Sequence, residues 1–303
     1  MLTLIKNADC YGPRPLGRMD LLIAGEKIVA MAENLDIRGL PDLQVMDIEG
    51  QRLIPGFIDG HVHLIGGGGE GGFTTRTPEV MLSQLTRAGI TTVVGLLGTD
   101  RSTRHNASLY AKTKALIQEG ISAFMFTGGY AIPSRTVTGS VHDDIVFLDT
   151  VIGLKLAISD HRSSCPSVDE LSRLSSDARM AGMVGSKCGR VVTHLGAGAR
   201  GLEPLQQVID NSEIPIDQFI PTHINRKAFL FEQALDWAAA GGIIDITSGV
   251  NPVLGVPGAV KPSQAIARCL ERGLNLERVC ISSDGNGSMP CFDDQGKLTG
   301  LAV

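Results

Sequence analysis

One stretch of the sequence decides the fold, Leu53-Ile54-Pro55-Gly56-Phe57-Ile58-Asp59-Gly60-His61-Val62-His63. Its apolar residues are typical of a buried strand, and the strand ends in two histidines. Side chains at positions i and i+2 of a strand point the same way, so His61 and His63 are expected side by side. Two imidazoles placed in this way can bind one divalent metal ion. A single H-x-H pair is a weak signal, and further ligands must converge on it.

Strand candidates alternate with helix candidates from this stretch onward. The strands are predicted at Phe57–His63, Thr91–Leu97, Ser122–Thr127, Val151–Ile158, Arg190–His194, Phe219–His223, Gly242–Thr247 and Arg278–Ser283. The helices are predicted at Pro78–Ala88, Ser108–Glu119, Ser167–Ala181, Leu202–Asn211, Lys227–Ala240 and Pro262–Arg272. This alternation predicts an α/β fold, a (β/α)8 barrel of the TIM type whose active-site residues lie at the C-terminal strand ends.

An open doubly wound sheet is the competing architecture. It would require a phosphate-binding glycine turn after its first strand. The glycines between Gly66 and Gly72 are not followed by Lys-Ser/Thr or by a helix start. We therefore interpret them as a loop, and nucleotide binding is disfavoured.

The residues before the barrel have a different pattern. Short strands are predicted at Leu2–Ile5, Asp20–Ala24 and Lys27–Met31, with a hairpin turn at Gly25-Glu26. We therefore expect a small β domain over residues 1–53 and the barrel over residues 54–303.

The composition is that of an ordinary globular protein, with 43% hydrophobic and 19% charged residues. A net charge of −5 argues against nucleic acid or an anionic membrane as the main partner. The six cysteines are scattered without a C-x-x-C pair, and no apolar run approaches membrane-spanning length. These features predict a soluble, cytoplasmic protein with reduced thiols.

Four more ligand-type residues fall at corresponding places in later strands. They are Lys155 inside Val151–Ile158, His194 and His223 at the ends of their strands, and Asp284 after the last strand. A lone histidine at a strand end is more often a hydrogen-bonded core or rim residue. Four histidines and an aspartate at equivalent strand ends would converge in a barrel, so together they predict a metal centre.

Lys155 lies in an apolar strand, where an unpaired ammonium group is costly. The alternative is a side chain that reaches solvent, for which a central strand offers little room. Beside metal cations its amine would be neutral and nucleophilic. Such an amine can capture carbon dioxide as a carbamate that bridges two cations, although the spacing of the sequence does not require this step.

These residues together resemble the amidohydrolase superfamily with a binuclear metal centre. The local sequences go further and resemble the isoaspartyl dipeptidase family over essentially the whole chain. The segments that carry this resemblance are Pro55–Glu70, Thr127–Tyr130, Lys155–Arg162, Thr222–Arg226 and Ser283–Ser288.

The resemblance implies two zinc ions per subunit. His61, His63 and Asp284 would hold one ion, His194 and His223 the other, and carboxylated Lys155 and a hydroxide would bridge them. The hydroxide would attack the side-chain amide carbonyl of the substrate. Asp284 would transfer the proton to the leaving amine, and Tyr130 would stabilise the oxyanion.

The resemblance also implies the substrate, a small isoaspartyl dipeptide. Glu70 resembles the residue that pairs with the substrate ammonium group. Arg162 and Arg226 resemble residues that bind carboxylates, which suits the guanidinium fork. Thr99 and Ser288 resemble supporting hydrogen-bond partners. Relatives of this kind also imply a homo-oligomer.

The chain departs from the family at its C-terminal end. Relatives continue well beyond Asp284 with a last barrel helix and strands that complete a small N-terminal β-sandwich. We expect the sandwich at 1–53 to be partial, residues 289–303 to supply at most a loop, and stability to be low. Two alternatives stay open. One is a cyclic amidase of the dihydroorotase or hydantoinase type, which shares the metal ligands, and the other is an inactive scaffold fragment.

Overall fold

The computed structural model describes residues 1–254, 256–292 and 298–302. The chain divides into two compact units, Met1–Phe57 and Ile58–Val303. The boundary predicted at 53/54 and the sandwich character of the first unit stay predictions.

The first unit is a five-stranded sheet. Its strands are β1 (Leu2–Tyr11), β2 (Pro15–Ala24), β3 (Lys27–Ala32), β4 (Leu43–Asp47) and β5 (Arg52–Leu53). The sheet order is β3-β2-β1-β4, and β5 also pairs with β1. β1, β2 and β3 are antiparallel neighbours, whereas β4 and β5 run parallel to β1. Gly25 and Glu26 form the turn between β2 and β3, as predicted.

Eight strands form the sheet of the second unit. They are β6 (Phe57–Val62), β7 (Ile90–Gly95), β8 (Ser122–Gly128), β9 (Val151–Ile158), β10 (Arg190–Leu195), β11 (Phe219–Thr222), β12 (Ile244–Thr247) and β13 (Val279–Ser282). They lie in chain order from β6 to β13 and run parallel. A parallel bridge between Val62 and Gly285, with the His63 amide donating to the Gly285 carbonyl at 2.9 Å, nearly closes the barrel. The predicted TIM-type barrel is confirmed.

In the described part of the chain, seven α-helices flank the strands. They are α1 (Leu82–Arg87), α2 (Asn106–Gln118), α3 (Val141–Phe147), α4 (Val168–Gly185), α5 (Glu203–Asp210), α6 (Ala228–Ala239) and α7 (Pro262–Glu271). At the start of α4, Ser167 and Glu170 form a capping box. Buried aliphatic and aromatic side chains such as Leu109, Ile145 and Phe231 fill the space between helices and strands.

Among the described residues, no helix combines the length and apolar character needed to cross a bilayer.

Three local predictions were wrong. The helix predicted at 78–88 begins only at Leu82, because the Thr77 and Val80 amides donate to the Gly67 and Leu64 carbonyls at 3.0 Å. α3 was not predicted, although Ser140 forms a serine N-cap by accepting a hydrogen bond from the Asp143 amide. Residues 289–303 were expected to form at most a loop. Their described parts form an antiparallel pair, β14 (Met289–Phe292) and β15 (Leu298–Ala302).

Candidate active site

The predicted ligand residues all lie at one end of the barrel. His61 is on β6 and His63 directly follows it, Lys155 is on β9, and His194 is on β10. His223 follows β11 and Asp284 follows β13. The backbone at both of these residues is left-handed, with φ of 65° at His223 and 56° at Asp284. Such conformations are uncommon outside glycine and occur often at functional sites.

The first group of potential ligands is compact. Oδ1 of Asp284 lies 3.3 Å from Nε2 of His61 and 3.2 Å from Nε2 of His63. One donor atom from each of these three residues fits within 4.8 Å of the others. The carboxylate and imidazole donors suit a divalent transition metal such as zinc.

The second group of potential ligands, His194 and His223, lies directly beside the first. The ring centre of His223 lies 4.9 Å from that of His61 and 4.8 Å from that of His194. Oδ2 of Asp284 is 3.8 Å from Nδ1 of His223. Four imidazoles and one carboxylate therefore share a single buried cluster.

Lys155 points into this cluster and is completely buried. Its Nζ lies 3.5 Å from Nε2 of His61. Burial lowers the pKa of Lys155 to about 7, against the opposing charges of Asp284 and Asp245. A large share of the amine is therefore neutral near pH 7, as capture of carbon dioxide requires.

Several buried polar atoms in the cluster have no partner among the described residues. They include Nδ1 of His63 and Nδ1 of His194. Buried polar atoms are normally hydrogen-bonded, and a group left without a partner is costly. The free Nδ1 of His194 fits a site built for cations, because the His194 ring lies 4.8 Å from that of His223 inside the cluster of potential ligands.

The electrostatics keep Asp284 ionised. Burial alone would raise the pKa of its carboxyl group, but His223 and the hydrogen bond with His63 hold that pKa well below its usual range.

The pKa of Tyr130 is raised by burial, so its phenol stays protonated and can donate a hydrogen bond. Its ring lies 4.6 Å from that of His194.

The predicted substrate-binding residues meet above the cluster. Glu70 accepts hydrogen bonds from Thr99 Oγ1 and Ser288 Oγ, each at 2.9 Å, and lies 3.3 Å from Nη1 of Arg162. The guanidinium group of Arg226 has no side-chain partner among the described residues. A cleft brings these loop residues together with the strand-end cluster, and it is lined by His63, Glu70, Thr99, Tyr130, Arg162, His194, Arg226, Asp284 and Ser288.

Sequence reasoning missed the residue that holds the glycine-rich loop. Arg104 donates to the carbonyl oxygens of Ile65, Gly67 and Thr77, at 3.2 Å for Gly67 and 2.8 Å for Thr77. A Cβ on Gly66, whose φ is +79°, would lie 2.2 Å from the Thr77 carbonyl oxygen. The loop that carries Glu70 is therefore folded tightly against residues 75–78, which only glycines allow.

Polar residues behind the histidines were also missed. Asp160 lies 2.7 Å from Nε2 of His194, and Thr247 Oγ1 lies 2.7 Å from Nδ1 of His223. Thr222 Oγ1 lies 3.4 Å from Nδ1 of His61 and donates to Asp245 at 2.6 Å. Thr222 directly precedes the predicted ligand His223, but the contacts of both threonines cross between strands and have no local signal.

Solved structures are similar to this chain in fold and in sequence. The crystal structure of a beta-aspartyl dipeptidase from Fervidobacterium islandicum AW-1, in complex with beta-Asp-Leu dipeptide, is 46% identical with a TM-score of 0.91. The match covers 100% of this chain and 78% of that chain. A second structure of the enzyme from this organism is 45% identical with a TM-score of 0.88, covering 95% and 77% of the two chains.

Curated relatives match shorter parts of the chain. A dihydroorotase from Anoxybacillus flavithermus is 36% identical over 100 residues, which are 33% of this chain and 22% of the relative. An imidazolonepropionase from Colwellia psychrerythraea is 29% identical over 143 residues, 44% of this chain and 33% of the relative. The chain therefore spans about a third or less of these curated relatives. No protein-family model matches it.

Proposed function

Because the chain belongs to the beta-aspartyl dipeptidase family of the amidohydrolase superfamily, we propose that it hydrolyses the β-aspartyl peptide bond of dipeptides. Members of the family are hydrolases that act on peptide bonds. One observation carries the proposal: Glu70 and Arg226 line the same cleft as the cluster of His63, His194 and Asp284. A charged dipeptide could therefore be bound at its ends while its amide bond faces the cluster.

The strand-end residues fit two divalent cations, as superfamily members generally use. We assign His61, His63 and Asp284 to one zinc ion, His194 and His223 to the other, and carboxylated Lys155 as the bridge. The unsatisfied Nδ1 of His194 and the lowered pKa of Lys155 support this assignment. When bound, the zinc pair would supply a water molecule of lowered pKa as nucleophile and would polarise the scissile carbonyl.

Two residues of the chain would manage charge and protons during the reaction. The ionised Asp284 would accept a proton from the attacking water and pass it to the leaving amine. The protonated phenol of Tyr130 would donate a hydrogen bond to the oxygen on which negative charge develops. Water then adds its hydroxyl to the acyl carbon and its proton to the amine, giving aspartate and a free amino acid.

The ends of the substrate would be recognised by opposite charges. Glu70, supported by Thr99 and Ser288, would bind the α-ammonium group of the isoaspartyl residue. Arg226 would bind a carboxylate with its guanidinium fork, and Arg162 would add the N–H groups not used by its own partners. The dipeptide ligand of the Fervidobacterium structure, beta-Asp-Leu, has these same charged ends. A homo-oligomer and a cytoplasmic location stay predictions.

The test is the hydrolysis of β-Asp-Leu and of α-Asp-Leu by protein loaded with zinc in bicarbonate buffer. We expect cleavage of the β isomer only, because the amide of the α isomer would be displaced from the cluster when both ends are bound. Dihydroorotate is included as a third substrate because it tests the cyclic-amidase alternative. A cyclic amidase has less reason to carry Glu70 and the two arginines together. Cleavage of dihydroorotate without cleavage of β-Asp-Leu, in folded and metal-loaded protein, would overturn the proposal.

A further inference from the structure

One carboxylate connects the metal-ligand cluster to the residues predicted to bind substrate. Asp160 Oδ2 lies 2.7 Å from Nε2 of His194 and 2.7 Å from Nη2 of Arg162. Asp160 Oδ1 accepts from Nε of Arg162 at 3.0 Å and from the Arg162 amide at 2.8 Å. The remaining Nη1 of Arg162 faces Glu70 at 3.3 Å. His194, Asp160, Arg162 and Glu70 therefore form a continuous chain of polar contacts.

The contact with Asp160 selects the tautomer of His194. A carboxylate that accepts three other hydrogen bonds is ionised and can only accept, so Nε2 of His194 carries the proton. Nδ1 is then the bare nitrogen, and it is the buried atom without a partner among the described residues. Only a bare nitrogen can bind a metal, so this carboxylate leaves the imidazole in the form that a cation needs.

The backbone holds Asp160 firmly at this place. A Cβ on Gly196 would lie 2.4 Å from the Ser159 carbonyl oxygen and 2.5 Å from Cβ of Asp160. Ser159 itself has a φ of 52°, and its hydroxyl donates to the Gly201 carbonyl at 2.8 Å. The turns after β9 and β10 are thus packed directly on each other, which fixes the distance between Asp160 and His194.

The two arginines of the cleft differ in whether their guanidinium groups are paired with carboxylates of the chain. Arg162 directs its fork at Asp160, and its side chain is only 17% exposed. It donates three of its five side-chain N–H groups to Asp160 and Glu70. Arg226 has no side-chain partner in the described part of the chain. Arg226 is therefore the matched comparison for any role that Arg162 has besides binding substrate.

We propose that Asp160 and Arg162 are positioning residues for the metal ligand His194, with Arg162 holding Asp160 in the orientation that presents Nδ1 to the cation. The inference rests on the proposed metal centre. It assigns Arg162, which the sequence suggested only as a substrate-binding residue, a second role in metal affinity. Removal of a partner of this kind costs about 10–100-fold in metal affinity.

The experiment compares zinc binding by the full chain with that of D160N, R162M, R162K and R226M. Zinc content is measured after dialysis, and affinity by competition with a chromogenic chelator, neither of which depends on catalysis. We expect the wild type to hold two zinc ions. D160N and R162M should bind one of the two about 10–100-fold more weakly. R226M should bind neither more weakly than the wild type does, because loss of a nearby cation does not disfavour a bound metal ion. R162K keeps the charge but not the fork, and should fall between wild type and R162M.

Substitution with cobalt gives a spectroscopic readout that a merely structural role would not change. The visible bands of one of the two cobalt ions should be altered in D160N and R162M. If D160N does not fold, R162M and R162K decide.

Three results would overturn the inference. Wild-type affinity for both ions in R162M, or equal weakening in R226M, would overturn it while leaving the proposed function intact. Wild-type protein that folds but binds no divalent metal would overturn the proposed function and, with it, this inference.

Discussion

The strand ends and the loops above them contribute to the same cleft, but they are held in place differently. At the strand ends, His61, Lys155 and His223 are at most 2% exposed, and the register of the barrel sets their positions. On the loops, Glu70 and Arg162 are oriented by polar contacts with each other and with neighbouring side chains. The comparison suggests that the fold itself supplies the reactive centre, whereas substrate choice depends on a few hydrogen bonds.

The largest effect is expected at the strand ends, from D284N. Asparagine keeps the size of the side chain but cannot accept and return a proton, so kcat for β-Asp-Leu should fall on the order of 10²–10⁴-fold. Steady-state kinetics with zinc-loaded protein measure the loss. Zinc content is determined on the same sample, because Asp284 is also a proposed ligand. A variant with kcat within threefold of wild type would refute the role of Asp284 in proton transfer.

A somewhat smaller loss of kcat is expected from Y130F. Tyr130 lies between the strand-end residues and the loop residues of the cleft. Its ring packs on His194, so phenylalanine should preserve the packing and remove only the hydroxyl donor. Loss of one oxyanion donor costs about 10²–10³-fold in kcat. KM and zinc content should stay near their wild-type values. A change confined to KM would instead make Tyr130 a substrate-binding residue.

The loop residue Glu70 should have a smaller and more selective effect. In E70Q the ammonium group of the substrate loses its charged partner, which is worth about 1.5–3 kcal/mol, or 10–100-fold in kcat/KM. N-acetyl-β-Asp-Leu, which has no ammonium group, serves as the matched substrate. The wild type and E70Q should cleave it at equal rates. An equal loss on both substrates would show that Glu70 supports the loop rather than the substrate.

The same comparison explains what could be predicted from the sequence. The ligands at strand ends follow from strand periodicity and from the alternation of strands and helices. The sequence alone therefore predicts that His61, His63, His194 and His223 lie in one cluster. The roles proposed for Glu70 and Ser288 came only from resemblance, because loop conformation has no period.

Contacts that depend on tertiary approach could not be predicted. Asp160 reaches His194 because Ser159 adopts a left-handed conformation and Gly196 allows two turns to touch. The shortened start of α1 has a similar cause, since residues 77–80 use their amides to bind the glycine-rich loop. By contrast, α3 carried a recognisable serine cap at Ser140 and could have been found.

The smallest expected effect is on the free energy of unfolding, and it tests whether burial of Lys155 lowers the pKa of its amine. In metal-depleted protein the pKa of Lys155 is about 7, against about 10.4 for an unfolded lysine. Between these values the unfolded chain binds more protons than the folded protein. The free energy of unfolding should therefore rise with pH from 7 to 10, by at most about 1.4 kcal/mol per pH unit.

K155M removes this titration and replaces a buried amine with an apolar side chain of similar length. The variant should be more stable than metal-depleted wild type at pH 7, and the difference should shrink as the pH rises to 10. Urea unfolding at four pH values measures both curves. K114M is the control, because Lys114 pairs with Asp149 at the surface and should leave the rise between pH 7 and 9 unchanged. Parallel curves for wild type and K155M would mean that the Lys155 amine keeps its proton in the folded protein, and the carbamate bridge would then lose its support.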